Sequence, residues 1–341
     1  MDNYSLGSRS DPPEGRVEGL DLVPVEVVPL PPASTQIRFT VRRRRIALPL
    51  ALFVLTCAST FLTGIWGKEL DEAAGAVLRS DPSAALAHLL IAVREGVVYA
   101  GSLMTILICH EAGHFFQARR YRVYASFPYF IPMPLSPIGT MGAVIAMEAH
   151  TGGRKALFDI GITGPLAGLV PTLIFSIVGL NLSRPVLTVP DAISGPVVAM
   201  PPVFRIMIQT FFPHLTEGYG IDLHPMAYAG WVGLLITSLN LFPIGQLDGG
   251  HVLYGLLRTK AHAVATLVLF GATAAVFLGT ALLHDPRLMG WTLMLLLLYL
   301  MGPRHPPTAD DNVPLGFWRH VLGWLTLAFL PLGFTPIPFL M

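Results

Sequence analysis

Long apolar runs separated by short polar segments dominate the chain after residue 45. An α-helix needs roughly 20 apolar residues to cross a bilayer, and several of these runs approach that length. The pattern predicts six transmembrane helices, over residues 46–66, 96–118, 162–180, 226–244, 261–283 and 288–301. A further run over residues 317–334 predicts either a seventh span or a helix that lies in the membrane interface.

The composition also indicates a multi-pass membrane protein. Of the 341 residues, 53% are hydrophobic and 13% are charged, whereas soluble domains carry about a quarter charged residues. The formal net charge of +1 gives no electrostatic reason to expect a nucleic-acid partner. We therefore expect the lipid bilayer to be the main surrounding of the chain and expect no nucleic acid to bind.

Basic residues mark the ends of several predicted spans and orient them. Four consecutive arginines at 42–45 precede the first span, and Arg119, Arg120 and Arg122 follow the second. Such basic segments stay in the cytosol under the positive-inside rule. We expect an integral protein of a bacterial cell membrane, with its N-terminus on the cytosolic side.

The chain divides into three predicted parts. Residues 1–45 are polar and rich in proline, which predicts a disordered cytosolic N-terminal segment. Residues 46–302 form the predicted membrane-embedded domain. Residues 303–341 begin as a proline-rich cytosolic loop and end as a hydrophobic C-terminal segment.

Residues 123–160 are apolar but do not follow the pattern of a spanning helix. They contain Pro128, Pro132, Pro134 and Pro137, which are too many for an uninterrupted helix. Irregular backbone at membrane depth occurs only where it is buried in protein or lines a wet cavity. The fold class that we predict is therefore an all-α polytopic membrane protein of six to seven spans, with a re-entrant loop or short β-hairpin in this segment.

Polar residues that suit a metal site lie late in the second predicted span. His110 and His114 are four residues apart, so both imidazoles lie on one face of a helix. Two such histidines can bind zinc, and Glu111 between them can take a proton from a water molecule in the site. Charged and polar groups are costly inside a membrane span, and metal coordination in a wet pocket explains their presence.

A catalytic zinc site usually has three protein ligands and one open position, so one more ligand is required. Asp248 is the candidate we favour, because it follows the fourth predicted span and reaches the same membrane face as His114. Asp248 could instead cap a helix, and His251 is an alternative third ligand. Asn240 could stabilise an oxyanion, or it could form only an interhelical hydrogen bond.

These motifs together resemble the site-2 protease family of intramembrane zinc metalloproteases. The resemblance is carried by the His-Glu-x-x-His motif at 110–114 and by the Asn-x-x-Pro…Leu-Asp-Gly motif at 240–249. The stretches 139–144 and 156–168 are also similar to this family, so the resemblance covers residues from about 96 to 260. The connectors 123–160 and 181–225 are short and apolar, which indicates a member without the PDZ domain that many bacterial members carry.

The resemblance implies that residues 46–302 are a metalloprotease domain that cleaves membrane-anchored regulatory proteins within or near their transmembrane helix. It implies one zinc ion per chain, held by His110, His114 and Asp248. Glu111 would be the catalytic base, and Asn240 would orient the substrate or stabilise its oxyanion. The alternatives are an inactive membrane zinc-binding homologue and a metal transporter.

Two further expectations concern the surroundings of the site. Residues 139–147 could pair with an unwound substrate as an added β-strand, or could be a purely structural hairpin. Seven other histidines, in loops or at span ends, are predicted to be solvated or interfacial. These are His150, His214, His224, His262, His284, His305 and His320.

Overall fold

The computed structural model describes residues 23–24, 39–40, 46–147, 152–187, 198–215 and 219–339. The chain separates into two compact units, residues 1–45 and residues 46–341. In the first unit the strands β1 (Val23–Pro24) and β2 (Phe39–Thr40) pair in antiparallel fashion. The disorder predicted for the rest of residues 1–45 lies outside the described residues, and so does His150.

The second unit is mostly helical. Its longer helices are α1 (Ala47–Ile65), α2 (Lys68–Leu78), α3 (Pro82–Arg120), α4 (Arg154–Leu182), α5 (Pro202–Phe211), α6 (Pro225–Asn240), α7 (Asp248–Leu257), α8 (Ala261–Leu283), α9 (Thr292–Met301) and α10 (Phe317–Ala328). A short helix, α11 (Leu330–Gly333), and two 3₁₀ turns (Arg258–Lys260 and Pro286–Trp291) complete the helical elements that are described.

Four described helical segments are long and apolar enough to cross a membrane: α1, α3, α4 and the continuous segment Asp248–Leu283. The predicted fourth span is shorter than expected, because α6 has 16 residues and ends at Asn240. The sixth predicted span is likewise divided into the turn Pro286–Trp291 and α9. Helices long and apolar enough to span a membrane are thus confirmed, whereas a total of six or seven spans is not.

Helix α3 is longer than the span predicted inside it. It begins at Pro82, and the Asp81 carboxylate accepts a hydrogen bond from the backbone N–H of Ala84, which stabilises the helix N-terminus. Residues 84–93 are therefore the first turns of α3. Arg119 and Arg120 lie in the last turn, where positive charge is favourable for the helix dipole.

Helices α3, α4 and α6 form the central bundle. Small residues allow the close approach of α4 and α6, since a Cβ atom on Gly179 would lie 2.1 Å from the backbone nitrogen of Ala227. The fully buried side chains of Tyr99, Leu180 and Trp231 fill the space between the helices. The backbones of α4 and α6 are thus in direct contact at this point.

The predicted hairpin is confirmed. Strands β3 (Tyr129–Met133) and β4 (Gly139–Val144) pair in antiparallel fashion between α3 and α4 in the chain. Hydroxyl groups from three helices hold its turn: Tyr99 donates to Ile138 O at 2.7 Å, Tyr228 to Pro137 O at 2.8 Å, and Ser59 to Gly139 O at 2.6 Å. A second hairpin joins β5 (Arg184–Leu187) and β6 (Tyr219–Asp222).

The C-terminal part packs onto the bundle. Arg319 of α10 donates from Nε and Nη2 to the Asp159 carboxylate of α4, at 2.7 and 2.8 Å. Gly323 lies against the ring of Phe158, because a Cβ atom there would lie 2.7 Å from Cε2 of that ring. The predicted continuous segment 317–334 is instead divided into α10 and α11.

Candidate metal centre

Three ligand-type side chains converge between α3 and α7. The Nε2 atoms of His110 and His114 are 3.2 Å apart, which is the outcome expected for residues one helical turn apart. Asp248, the first residue of α7, places Oδ2 3.0 Å from His110 Nε2 and Oδ1 3.2 Å from His114 Nε2. Their ligand atoms all lie within 4.8 Å of one another, although 138 residues separate His110 from Asp248.

Helix α4 sets the orientation of His114. The Nδ1 atom of His114 lies 2.8 Å from the carbonyl oxygen of Ile160. A carbonyl only accepts, so Nδ1 carries the proton and Nε2 of the neutral ring offers a lone pair. Gly164 and Gly168 lie directly against the rings of His114 and His110. These two glycines, four residues apart on α4, therefore make room for the two imidazole rings.

A tight loop between α6 and α7 places Asp248. Gly245 has a φ of +55°, a conformation that glycine adopts without strain. Gly249 approaches Leu241 so closely that a Cβ atom would lie 2.0 Å from the Leu241 carbonyl oxygen. The loop after Asn240 therefore folds back on itself and begins α7 at the position where Asp248 faces both histidines.

Arg154 stabilises the other end of α7. Its Nε donates to Gly255 O at 2.7 Å and its Nη2 to Leu256 O at 3.2 Å, two carbonyls in the last turn of that helix. A further bond from Nη1 reaches Val313 O at 3.2 Å. The Arg154 side chain is buried, although a basic residue near a span end has the local pattern of a cytosolic boundary.

A cavity opens beside the three ligands, and both other predicted site residues line it. Asn240 places Nδ2 3.4 Å from His110 Nε2. Glu111 makes no hydrogen bond to any described residue, so its carboxylate is available to a water molecule in the cavity. The other lining residues come from α4, from β4 and the segment after it, and from the α6–α7 loop, and include Ala143, Val144, Ile145, Met147, Ile160, Gln246 and Leu247.

The alternative ligand His251 also lines the cavity, but its ring nitrogens are not among the clustered ligand atoms. Its Nδ1 instead lies 2.7 Å from Nε2 of His305. Asp248 therefore completes the group among the described residues. Two imidazole nitrogens and one carboxylate, buried and facing a cavity, fit a zinc ion with one open coordination position.

The prediction that His305 is solvated or interfacial is wrong. Its side chain is buried, with 5% of its surface exposed, and it contacts His251 across 54 residues of sequence. Arg304 and His305 form a basic pair at the end of a predicted span, and this local pattern is typical of a cytosolic boundary. No local signal in the sequence distinguishes His305 from the exposed His214 and His284.

Comparison with known proteins identifies a peptidase family whose model matches this chain. The model of peptidase family M50 matches residues 98–279, a range that contains most of α3 and all of α4, α6 and α7, and with them His110, His114 and Asp248. No solved structure matches the chain.

Three of the curated relatives are plant proteins named as zinc metalloproteases. "Probable zinc metalloprotease EGY1, chloroplastic" of Arabidopsis thaliana is 29% identical over 333 residues, which cover 91% of this chain and 58% of that protein. The rice protein of the same name is 30% identical, over 85% of this chain and 52% of its own length. "Probable zinc metalloprotease EGY2, chloroplastic" of Arabidopsis thaliana is 30% identical, over 70% of this chain and 41% of its own length. The chain thus spans about half the length of the curated relatives it matches.

Proposed function

We propose, from the premise that the chain belongs to peptidase family M50, that it is an intramembrane zinc metalloendopeptidase. Its substrates would be membrane-anchored regulatory proteins, cleaved within or near a transmembrane segment. The observation that carries the proposal is the position of Glu111 beside a buried group of His110, His114 and Asp248 that faces one cavity. One zinc ion per chain would be held by those three residues.

Bound zinc would supply Lewis-acid chemistry, which polarises a carbonyl and makes a water molecule more acidic. The chain's own residues would do the rest. Glu111 would take the proton of the attacking water and return it to the amine that leaves. Asn240, whose amide lies beside His110 Nε2, would donate a hydrogen bond to the oxyanion of the tetrahedral intermediate.

The depth of the site supports an intramembrane substrate, because the ligands lie on helices long enough to cross a bilayer. A peptide bond inside a helix is shielded by the hydrogen bonds of that helix, so the substrate must first unwind. An unwound segment could pair with β4 as an added strand, since Ala143 and Val144 line the cavity. Gly142 has a φ of +94°, so a bulky residue there would distort β4 itself and would not test pairing alone.

A photo-crosslinking residue at Val144 provides a sharper test of strand pairing. Val144 is 54% exposed at the cavity, and Val170 of α4 is 59% exposed, so the two positions form a matched pair. In a Glu111→Gln background, which retains the substrate, Val144 should capture a transmembrane reporter and Val170 should not. Equal capture at both positions would contradict strand pairing.

We also propose six to seven membrane crossings, with α6 and the segment Pro286–Met301 counted among them. The N-terminus and the site would face the cytosol, because Arg119 and Arg120 end α3 close to the ligands. The membrane would be that of a bacterial cell, whereas the plant relatives are named as chloroplastic. Residues 303–341 would form a cytosolic loop and a helix at the interface. Reactivity of single cysteines at each connector would test this topology.

The decisive experiment measures zinc content and cleavage of a transmembrane reporter with the purified full chain. Wild type should hold about one zinc ion and cleave. Glu111→Gln should keep zinc and lose cleavage by about a hundredfold or more, and Asp248→Asn should lose zinc. His214→Ala, at an exposed histidine outside the site, is the matched control and should behave as wild type.

The rival functions predict different results. An inactive zinc-binding homologue would hold zinc and cleave no candidate substrate, with Glu111→Gln indistinguishable from wild type. A metal transporter would release zinc readily and move it across a vesicle membrane. A wild-type protein that holds no zinc after gentle purification would contradict the proposed function.

A further inference from the structure

His251 and His305 form a hydrogen-bonded pair next to the proposed active site. His251 lies one turn after Asp248 on α7 and lines the same cavity as Glu111. His305 comes from the loop that follows α9, and its Nε2 lies 2.7 Å from His251 Nδ1. The other nitrogen of His305, Nδ1, lies 2.5 Å from the carbonyl oxygen of Pro306.

The partners of the two rings determine where their protons lie. The Pro306 carbonyl can only accept, so Nδ1 of His305 carries a proton. Burial lowers the pKa of His305, which keeps its ring neutral and makes Nε2 an acceptor. His251 must then donate from Nδ1. Its own neutral ring is left with an unprotonated Nε2, which makes no hydrogen bond to any described residue.

The surroundings of His305 hold its ring in one orientation. The ring of Tyr254 stacks on it with a centroid distance of 4.7 Å and an interplanar angle of 29°. The Tyr254 hydroxyl donates to Asp311 Oδ2 at 2.8 Å, and His262 Nε2 lies 3.2 Å from the backbone carbonyl of His305. The loop after α9, whose sequence predicts a plain cytosolic connector, thus contacts both α7 and α8.

We infer that Nε2 of His251 accepts a hydrogen bond from a main-chain N–H of the extended substrate, and that His305 is the positioning residue that keeps Nε2 unprotonated. This inference rests on the proposed function. The cavity that His251 lines is also lined by Val144 and Met147, where an unwound peptide would lie. A peptide next to these residues presents main-chain N–H groups, and an N–H that the bound peptide buries needs an acceptor in place of the bulk water it has lost.

Two substitutions separate the roles of the two ring nitrogens of His251. The amide of His251→Asn occupies the place of Nδ1, so it can still donate to His305 but offers nothing at the position of Nε2. The longer His251→Gln places its amide oxygen near the position of Nε2 and restores an acceptor. We expect His251→Asn to lower kcat/KM about tenfold, mainly through KM, and His251→Gln to recover most of this loss. Zinc content should stay at the wild-type level in both.

The positioning role of His305 is tested by ¹⁵N NMR of histidine-labelled protein, in which the His251 signals are assigned by their loss in His251→Asn. Wild type should show His251 protonated at Nδ1 only, and His305→Leu should show a mixture of both tautomers. His305→Gln, whose amide oxygen can still accept from Nδ1, should keep the wild-type tautomer. A wild-type His251 protonated at Nε2 would overturn the inference, whether or not the protein cleaves.

The cleavage arm distinguishes the failure of this inference from the failure of the proposed function. If wild type and Glu111→Gln do not differ in cleavage, the protease function fails, and only the tautomer result then bears on the pair. If wild type cleaves and His251→Asn cleaves equally well, the substrate contact is wrong. If His251→Asn and His251→Gln both lose zinc and thermal stability along with cleavage, the role of His251 is structural and the inference is overturned.

Discussion

Gly164 of α4 lies so close to His114 that a Cβ atom added to it would lie 1.9 Å from the imidazole Nε2, the atom that faces Asp248. Gly168, one turn further along, is less tightly packed, because its Cβ atom would lie 3.0 Å from Cβ of His110. His110 and His114 therefore pack directly against the glycines of α4. The positions of these two histidines depend on the absence of a side chain on the neighbouring helix.

Gly164→Ala should displace His114 and abolish zinc binding, because the ring cannot move away without losing its bond to Ile160. Overpacking of this kind costs roughly 1–3 kcal/mol of stability, and the lost ligand should reduce zinc content at least about tenfold. Gly168→Ala should have the smaller effect of the two. The measurement is zinc content of the purified variants.

Gly271→Ala is the matched control for this prediction. It replaces a glycine within α8 where a Cβ atom would meet nothing within 4 Å. Helix propensity favours alanine by up to about 1 kcal/mol, so this variant should be at least as stable as wild type. Normal zinc content in Gly164→Ala would show that the packing of α4 on His114 is looser than the structure indicates.

The sequence predicts those parts of the site that have a local pattern. The i, i+4 spacing of His110 and His114 follows from helix geometry, and the many prolines before Gly139 indicate the hairpin. Asp248 could be predicted because it follows an apolar run that returns to the same membrane face. The lengths of the spans were less predictable, because Pro243 and the turn after Asn240 end α6 before the apolar run ends.

The parts that the sequence does not predict depend on contacts between distant residues. Arg154 caps α7 across about 100 residues, and His305 meets His251 across 54. A basic residue near a span end has the same local pattern whether it is solvated or folded inward. Only the tertiary arrangement determines which of these residues is buried.

Arg154→Met should destabilise the whole membrane-embedded unit. The substitution removes three hydrogen bonds and leaves the buried carbonyls of Gly255 and Leu256 without their partner. The expected loss is roughly 2–4 kcal/mol, since hydrogen bonds to charged groups are the stronger ones. Denaturant unfolding in detergent measures it, with the adjacent Lys155→Met as the control. Equal stability of the two variants would contradict a capping role for Arg154.

Tyr99→Phe and Tyr228→Phe should each loosen the β3–β4 turn without affecting the metal ligands. Each variant leaves one partly buried carbonyl of the turn, at Ile138 or Pro137, without its hydroxyl donor. The cost of each is about 1–3 kcal/mol, and hydrogen exchange of the turn should accelerate while zinc content stays normal. Tyr299→Phe, whose hydroxyl bonds to Thr273 at the surface, is the control. An unchanged exchange rate in both variants would show that the turn is held by other contacts.

Acidification should destabilise the protein through His305. Burial lowers the pKa of His305 in the folded chain, and a nearby His262 lowers it further, whereas the hydrogen bond to the Pro306 carbonyl and the charge of Asp311 oppose this shift. In the unfolded chain the pKa of His305 is about 6.5. Below that pH the unfolded state binds a proton at His305 that the folded state does not bind. Stability from this group is therefore complete above about pH 6.5 and declines as the pH falls toward the folded pKa. Unfolding midpoints measured from neutral to acidic pH should decline less steeply in His305→Gln than in wild type, whereas His214→Gln should keep the wild-type slope. A steeper decline in His305→Gln would show that His305 takes up its proton in the folded state.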